Sequence, residues 1–245
     1  MGSQWDNFLR NLGEWHGSFA SLDANGAVVE STPSILSLEQ GAEERLVHFR
    51  LRRFANGDLN GEPSRDMQED YRSLGRQVVF FDSGTFCKGR LQVSPGTPFG
   101  AEFGFVHGDR RHRLVQLHHE DGRFANLVLI REFRAGSAAE EWPPLDNTQL
   151  QGRWSGSAAT ITADWPEPDH ERISFELNLG ADPSLQLTWM ADGGYHLTPS
   201  QVDHRSAFAV EAGWLTGPDR LERLIRRYDA SGAWQSATQI VATRG

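Results

Sequence analysis

A chain of 245 residues can form one large β domain or two smaller domains, because length divided by roughly 150 gives only a loose prior on domain number. Its net charge of −9 argues against nucleic acid and anionic membranes as partners, since both reward clustered Lys and Arg. Hydrophobic content of 38%, one cysteine, no basic leader and no run of ~18 apolar residues predict a globular, cytoplasmic protein without a membrane span.

The first half is predicted to open with a short helix. Apolar residues recur at helical spacing over 3–12, and Ser3 and Asp6 are placed as in a capping box. A G-x-W-x-G motif around Trp15 follows directly, and 60–73 reads as a polar loop or an irregular edge strand. Turn signals then separate short alternating segments, which predict strands at 34–39, 46–54, 77–81, 85–93, 99–107, 112–119 and 124–133.

A small, acidic, proline-containing segment divides the chain. It predicts a first domain at 1–137, a linker or short helix at 138–147 and a second domain at 148–245. The second domain repeats G-x-W-x-G at Trp154, and its strands are predicted at 152–163, 171–179, 184–190, 195–198, 207–215, 220–228 and 234–243. Short strands with tight turns are typical of antiparallel sandwiches and barrels.

The two halves are copies of one unit. The segments 80–108 and 189–217 align without a gap, and one inserted residue in the next turn carries the register on to the end of the chain. The matched pairs are Gly84/Gly193, Phe86/Tyr195, Phe99/Phe208, Glu102/Glu211, Gly104/Gly213, Phe105/Trp214, Gly108/Gly217, Arg113/Arg223, Leu114/Leu224, His118/Tyr228, Gly122/Gly232, Phe124/Trp234 and Arg134/Arg244.

A G-x-W on the first strand with an Arg at the end of the last strand resembles the lipocalin, or calycin, signature. The resemblance implies that each Trp closes a barrel and each Arg lies across it, so Trp15 with Arg134 and Trp154 with Arg244 are expected to be structural. A closer resemblance rests on the run FFDSGTFCKGRLQVSP at 80–95, FGAEFGF at 99–105 and RRHRLVQL at 110–117, followed by a second lipocalin-like half. Over nearly the whole chain, the sequence looks like a family of duplicated lipocalin-like proteins of unknown function from cyanobacteria and plastids, akin to the S-type phycobilin lyases. We therefore expect an all-β protein of two antiparallel lipocalin-like β-barrels from an internal duplication, with short helices closing them.

The duplicated charges are the first candidates for a ligand site. Alternation places Arg113 on one strand face with Val115 and Leu117, and a single guanidinium inside an apolar barrel can hold the carboxylate of a lipophilic ligand. A structural ion pair or a solvated arginine accounts equally well for the pattern. The hairpin register is predicted to put Glu102 near Leu117 and Arg113 near Val106, so the two charges would not be direct cross-strand partners. The predicted ligand-binding residues are Arg113, Glu102, Phe86, Phe99, Phe105, Arg223, Glu211, Tyr195 and Trp214.

Other chemistry is weakly indicated. His118 and His119 are adjacent and point to opposite faces of a strand, so no metal site is predicted. Cys87 has His196 at its position in the second copy and reads as a packed, inert thiol. No catalytic residue can be assigned, because the chain carries no nucleophile elbow, P-loop, paired CxxC or HExxH motif.

Three functions stay open. The first is a carrier for a small lipophilic, acid-bearing ligand of the bilin, apocarotenoid or fatty-acid type, with a bound tetrapyrrole or lipophilic acid in place of a cofactor. The second is a bilin lyase or isomerase, and the third is a structural or interaction protein with a protein partner or a homodimer interface. The first half, with its fuller aromatic set and longer segment before Phe80, is the expected ligand holder.

Overall fold

The computed structural model describes residues 2–23 and 25–245. The described part of the first half has a short helix and nine strands: α1 (Gln4–Leu9), β1 (Gly13–Leu22), β2 (Val28–Gln40), β3 (Val47–Arg53), β4 (Arg65–Tyr71), β5 (Val78–Phe80), β6 (Phe86–Gly89), β7 (Phe99–His107), β8 (Arg110–His118) and β9 (Phe124–Arg134). The second half has α2 (Asn147–Leu150), β10 (Gly152–Thr162), β11 (Asp169–Leu177), β12 (Leu185–Met190), β13 (Gly194–Pro199), β14 (Phe208–Gly217), β15 (Arg220–Tyr228) and β16 (Trp234–Arg244). Of these helices, neither has the length and apolar character needed to span a lipid bilayer.

The strands form two curled antiparallel sheets with the same plan. The first runs β4-β3-β2-β1-β9-β8-β7-β6-β5, and the second runs β11-β10-β16-β15-β14-β13-β12. In each sheet the first strand of the half pairs with its last strand, as in an up-and-down barrel, while the two edge strands are not paired to each other in the described residues. We call the two sheets the first and second half-barrels. The predicted all-β, duplicated, lipocalin-like architecture is confirmed.

The sequence located most elements but misjudged some details. The polar segment 60–73 contains an edge strand, β4, and its charged, exposed side chains suit a sheet edge. The helix α1 begins after the Ser3 cap, and Ser3 and Asp6 form the reciprocal capping box. The strand predicted at 85–93 is shorter, because β6 ends at Gly89 and a turn-rich segment follows.

The two G-x-W-x-G motifs begin the first strand of each half, directly after its short helix. The indole N–H of Trp15 donates to the carbonyl of Asn11 at 3.0 Å, and that of Trp154 donates to Leu150 at 2.8 Å. The guanidinium of Arg134 lies 4.3 Å from the centre of the Trp15 ring, and Arg244 lies 4.9 Å from Trp154. Both indoles are fully buried, so ring burial and a cation–π contact act together at these positions.

The last glycine of each motif is required by close backbone approach. A Cβ on Gly17 would lie 1.9 Å from the carbonyl oxygen of Arg131, and one on Gly156 would lie 2.0 Å from that of Val241. These distances are far below van der Waals contact. The neighbouring strand can therefore pair closely only where the side chain is absent.

The largest apolar core lies between the two half-barrels rather than inside either one. It joins side chains from both sheets, including Phe99, Phe103 and Phe105 from β7 and Val210 and Trp214 from β14. Matched residues of the two copies touch directly: the rings of Phe99 and Phe208 are 5.5 Å apart, and those of Phe105 and Trp214 are 6.1 Å apart. The halves thus share one core and are packed tightly together.

The backbone contacts between the halves are reciprocal. The amide of Val93 donates to Gly232 at 2.8 Å, and the matched amide of Val202 donates to Gly122 at 2.9 Å. The isolated bridges Gln92↔Ala233 and Arg123↔Gln201 are likewise related by exchanging one copy for the other. The two halves therefore use equivalent segments to contact each other.

An ionic cluster ties the linker to both halves. Asp192 has an ion pair with Arg110 and accepts the amide N–H of Trp142 at 2.9 Å. Arg110 lies between Trp142 and Trp214, at 4.7 and 4.9 Å from the two ring centres. The Asp192 side chain is 2% exposed, and these partners offset the cost of burying its charge.

Candidate functional site

A cleft of about 200 Å³ opens on the inner face of the first half-barrel. Its walls are mainly apolar and aromatic, contributed by Phe8, Leu36, Leu38, Phe49, Phe80 and Phe86. The polar part of the lining includes Asn11, Tyr71, Lys88, Glu102, Arg111 and Arg113. Concave apolar walls with a few convergent polar groups are the usual features of a ligand site.

The hairpin of β7 and β8 brings the charges to this face. Glu102 lies opposite Val115, and Arg113 lies opposite Gly104. The register predicted from the sequence, with Glu102 near Leu117 and Arg113 near Val106, is wrong. The hairpin turns tightly at Gly108-Asp109, where His107 pairs with Arg110, so each partner shifts by two positions. Glu102 and Arg113 become diagonal neighbours and do form an ion pair.

Arg113 is already held by two carboxylates. Its Nη1 donates to Glu102 at 3.0 Å, and its Nε and Nη2 donate to Glu132 at 3.0 and 3.2 Å. Burial acts to lower the pKa of Arg113, but the two carboxylates outweigh it and raise that pKa above its usual value. Most of its donors are therefore used within the protein.

Arg111 shares the Glu132 carboxylate but is less completely paired. Its Nε donates to Glu132 at 2.8 Å, and its guanidinium lies 4.7 Å from the centre of the Trp15 ring. The residue is 2% exposed, and burial lowers its pKa, although Glu132 acts in the opposite direction. Its Nη2 has no hydrogen-bond partner among the described residues.

Glu132 is a buried anion between two cations. Burial acts to raise the pKa of its carboxyl, but Arg111 and Arg113 outweigh burial and hold that pKa below its usual value. Asn11, which also lines the cleft and accepts from the Trp15 indole that Arg111 lies against, donates to the carbonyl of Gly84 at 2.9 Å, while its Oδ1 has no partner among the described residues. Among the described residues that line the cleft, Arg111 thus has a donor without a partner and Asn11 an acceptor without one.

In the matching region of the second half-barrel, the polar side chains bond to one another. Tyr195 stands in the place of Phe86, and its hydroxyl donates to Glu211 at 2.6 Å. Arg223 donates to both oxygens of Glu211, at 2.7 and 2.9 Å. Burial raises the pKa of Tyr195, with Glu211 adding to the rise, so the phenol stays protonated.

One glycine in each copy makes room for the aromatic ring. A Cβ on Gly104 would lie 2.2 Å from the Phe86 ring, and one on Gly213 would lie 2.0 Å from the Tyr195 ring. The duplicated Glu-x-Gly motif therefore combines an inward carboxylate with a gap in which an aromatic side chain lies. The second copy adds a hydroxyl that reaches the carboxylate.

The structure divides the sequence-predicted site residues among three places. Arg113, Glu102 and Phe86 line the cleft, whereas Arg223, Glu211 and Tyr195 lie inside the second half-barrel. Phe99, Phe105 and Trp214 belong to the core between the halves. Alternation along β7 puts Phe99 and Phe105 on the face opposite Glu102.

Sequence reasoning missed Arg111, Glu132 and Asn11. A signal for them was present in the repeat, because the register that aligns Arg113 with Arg223 also aligns Arg111 with Leu221 and Glu132 with Ala242. A charged residue in one copy that faces an apolar residue in the other marks a position that the shared fold does not require.

Two family models match the chain. One is described as the N-terminal part of a domain of unknown function, DUF3598, and matches residues 1–137. The other is described as the C-terminal domain of biogenesis factor required for ATP synthase 1 and matches residues 170–245. No curated protein matches the chain significantly.

Three solved structures are similar to different degrees. The crystal structure of a DUF3598-family protein of unknown function from Nostoc punctiforme is 33% identical, with a TM-score of 0.89 and coverage of 100% of both chains. An S-type phycobiliprotein lyase from Guillardia theta is 12% identical with a TM-score of 0.21, covering 100% of this chain and 93% of the lyase. A putative outer membrane protein from Bacteroides fragilis is 7% identical with a TM-score of 0.27, covering 99% and 100% of the two chains. The last two scores are too low to carry an argument.

Proposed function

We propose that this chain, which belongs to the DUF3598 family, is a binding protein that takes a compact lipophilic acid into the cleft of its first half-barrel. The family resemblance inferred from the repeat is confirmed by the match over the whole chain at 33% identity. The observation that carries the proposal is the cleft itself, whose lining combines apolar side chains with Arg111, which is buried, and Arg113, which is partly buried.

The size of the cleft limits the ligand. Its volume of about 200 Å³ is below the range of roughly 300–1,000 Å³ for pockets that enclose drug-sized molecules. A compact acid would fit within it. A bilin, an apocarotenoid or a fatty acid would have to extend past 73–75, the segment between β4 and β5 that borders the cleft.

The electrostatics favour binding over proton-transfer catalysis. A general acid that works near neutral pH needs a carboxyl with a raised pKa, whereas two arginines lower the pKa of Glu132. A fixed, ionised carboxylate between two guanidinium groups is suited to orienting cations. A lyase or isomerase would need its reactive group from the ligand or from a protein acceptor.

Filling the cleft tests the proposal. Leu74 is half-buried at the border of the cleft, so Leu74→Trp should block it, whereas Leu59→Trp, at a residue that is 37% exposed, should not. Binding of phenyllactate and decanoate can be followed by the amide shifts of the cleft residues. We expect binding by the wild type and by Leu59→Trp and weakening of about tenfold or more in Leu74→Trp, since a blocked pocket loses its apolar contacts. Absence of binding to the wild type would contradict the proposal.

A second function is favoured by the match of residues 170–245 to a domain of a factor named for ATP synthase biogenesis. In that role the second half-barrel would hold a subunit during assembly. Trp165, which is 60% exposed in the β10–β11 loop, is a large apolar side chain available to a partner. Comigration of the protein with purified ATP synthase subunits in size-exclusion chromatography is the expected result, and Trp165→Ala should weaken it. Separate elution of every subunit would exclude this role.

A further inference from the structure

We infer that Arg111 and Asn11, not Arg113, hold the head group of the ligand in the first half-barrel. The ligand class that fits them is an acid that carries a hydroxyl or N–H donor close to its carboxylate. This inference rests on the proposed binding function and assigns the residues and the ligand chemistry that the function leaves open.

The comparison between the two copies provides the first step. Arg111 and Glu132 are cross-strand partners on β8 and β9, and the matched partners on β15 and β16 are Leu221 and Ala242. Asn11 accepts the indole N–H of its Trp through its carbonyl, and Leu150 takes that role in the second half. Three polar residues of the first half thus correspond to three apolar residues of the second.

The energetics of burial provide the second step. Replacement of a buried ion pair by apolar side chains is often neutral or stabilising. The second half-barrel has apolar Leu221 and Ala242 at these positions, so the fold does not need the ion pair. A buried donor without a partner carries an additional penalty. The Arg111 guanidinium is therefore a cost to the fold in the absence of a ligand, and a ligand oxygen that accepts from Nη2 removes that cost.

The remaining charges indicate an acid. The cleft is lined by three cations, Lys88, Arg111 and Arg113, whereas Glu102 lines it and Glu132 lies behind the two arginines. The two carboxylates already accept from Arg113, so the excess positive charge is free for a ligand anion. The free Oδ1 of Asn11 can accept from a hydroxyl or N–H beside the carboxylate.

The double substitution Arg111→Leu with Glu132→Ala tests the anchor. It places in the first half the residue types of the apolar pair Leu221 and Ala242 of the second half. Arg113 then keeps Glu102 as its carboxylate partner, just as Arg223 has Glu211. The matched control is Arg50→Leu with Asp66→Ala, which removes an exposed ion pair of the same net charge from the outer strands. Unfolding midpoints establish that both variants fold.

The probes are phenyllactate, its methyl ester and hydrocinnamate, which lacks the hydroxyl. We expect phenyllactate to bind the wild type and the control alike, and the double variant about tenfold or more weakly, as for loss of a charge-assisted hydrogen bond. The ester and hydrocinnamate should bind the wild type more weakly than phenyllactate. The comparison of acid with ester needs no variant, so it tests the inference even if the double variant fails to fold.

The outcomes separate the inference from the proposed function. If acid and ester bind the wild type equally, or if the double variant binds phenyllactate as tightly as the control does, the inference is overturned while the binding function stands. If none of the three probes perturbs the cleft residues, the inference fails together with the proposed function.

Discussion

Removal of the Glu132 carboxylate alone should destabilise the protein strongly. The carboxylate accepts from Arg111 Nε at 2.8 Å and from Arg113 Nε and Nη2 at 3.0 and 3.2 Å, and its side chain is fully buried. In Glu132→Ala two buried guanidinium groups would be left with Glu102 as their one carboxylate. Loss of one partner from a buried ion pair costs about 3–5 kcal/mol, and we expect a decrease of that size in the free energy of unfolding.

The double variant should recover much of that loss. With Arg111→Leu added, the unpaired cation is gone and Arg113 retains Glu102. We expect the free energy of unfolding of the double variant to lie within about 1.5 kcal/mol of the wild type, because apolar replacement of a buried pair is often neutral. Adding Arg111→Leu to Glu132→Ala should therefore restore at least about 1.5 kcal/mol of the free energy of unfolding.

Urea unfolding followed by tryptophan fluorescence measures these differences, provided that the free energy of unfolding has the same slope against urea concentration in all variants. Glu141→Ala is the matched control, since Glu141 pairs with Arg131 at 2.6 Å but is 41% exposed and should contribute no more than about 1 kcal/mol. A Glu132→Ala protein as stable as the control would refute the account of the buried charges. So would a double variant less stable than the single one.

Three further results are expected. Trp15→Ala should lower the free energy of unfolding by about 3–5 kcal/mol, as for a fully buried Trp, and an unchanged melting temperature would contradict the closing role. Gly104→Ala should lower the free energy of unfolding by about 1–3 kcal/mol, because the added Cβ would clash with the Phe86 ring. Gly100→Ala should lower it less, because its Cβ would meet a flexible Leu side chain at 3.3 Å. Equal melting temperatures of the two variants would contradict this explanation. Burial lowers the pKa of His118 to about 4 and of His196 to about 3. Unfolded histidines titrate near about 6.5, so stability should be full above that pH and fall as the pH drops toward 4, and His118→Gln should reduce the slope in urea midpoints measured between these values.

The sequence predicts the repeat, the fold class and the elements well, because each depends on local patterns. The capping box at Ser3 and the alternation along β7 and β8 are examples. The same alternation placed Glu102 and Phe105 on opposite faces. It did not tell which face lines the cleft, since the more buried face of β8 carries the polar residues His112, Gln116 and His118, whereas Val115 and Leu117 lie on the less buried face.

The ion pairs of the site could not be obtained in the same way. Arg113 reaches Glu132 on β9, and that contact depends on the register between β8 and β9 as well as on the register of the preceding hairpin. A shift of two positions in the hairpin kept every side chain on its face but changed every partner. Comparison of the copies at Arg111 and Leu221 would have identified the charged position without its partner.

The reciprocal bonds and self-contacts between the halves are those of a two-fold axis. In an isologous interface, a residue near the two-fold axis contacts its own equivalent, as Phe99 contacts Phe208 here. Away from the axis each contact occurs twice, once in each direction. The bond from Val93 to Gly232 and the bond from Val202 to Gly122 are such a pair. The duplicated chain therefore has the form of a symmetric homodimer whose subunits were joined by a linker. A homodimer carries every substitution twice. In the joined chain the two copies can differ, and they do so where the buried pair Arg111 and Glu132 of one half corresponds to Leu221 and Ala242 of the other.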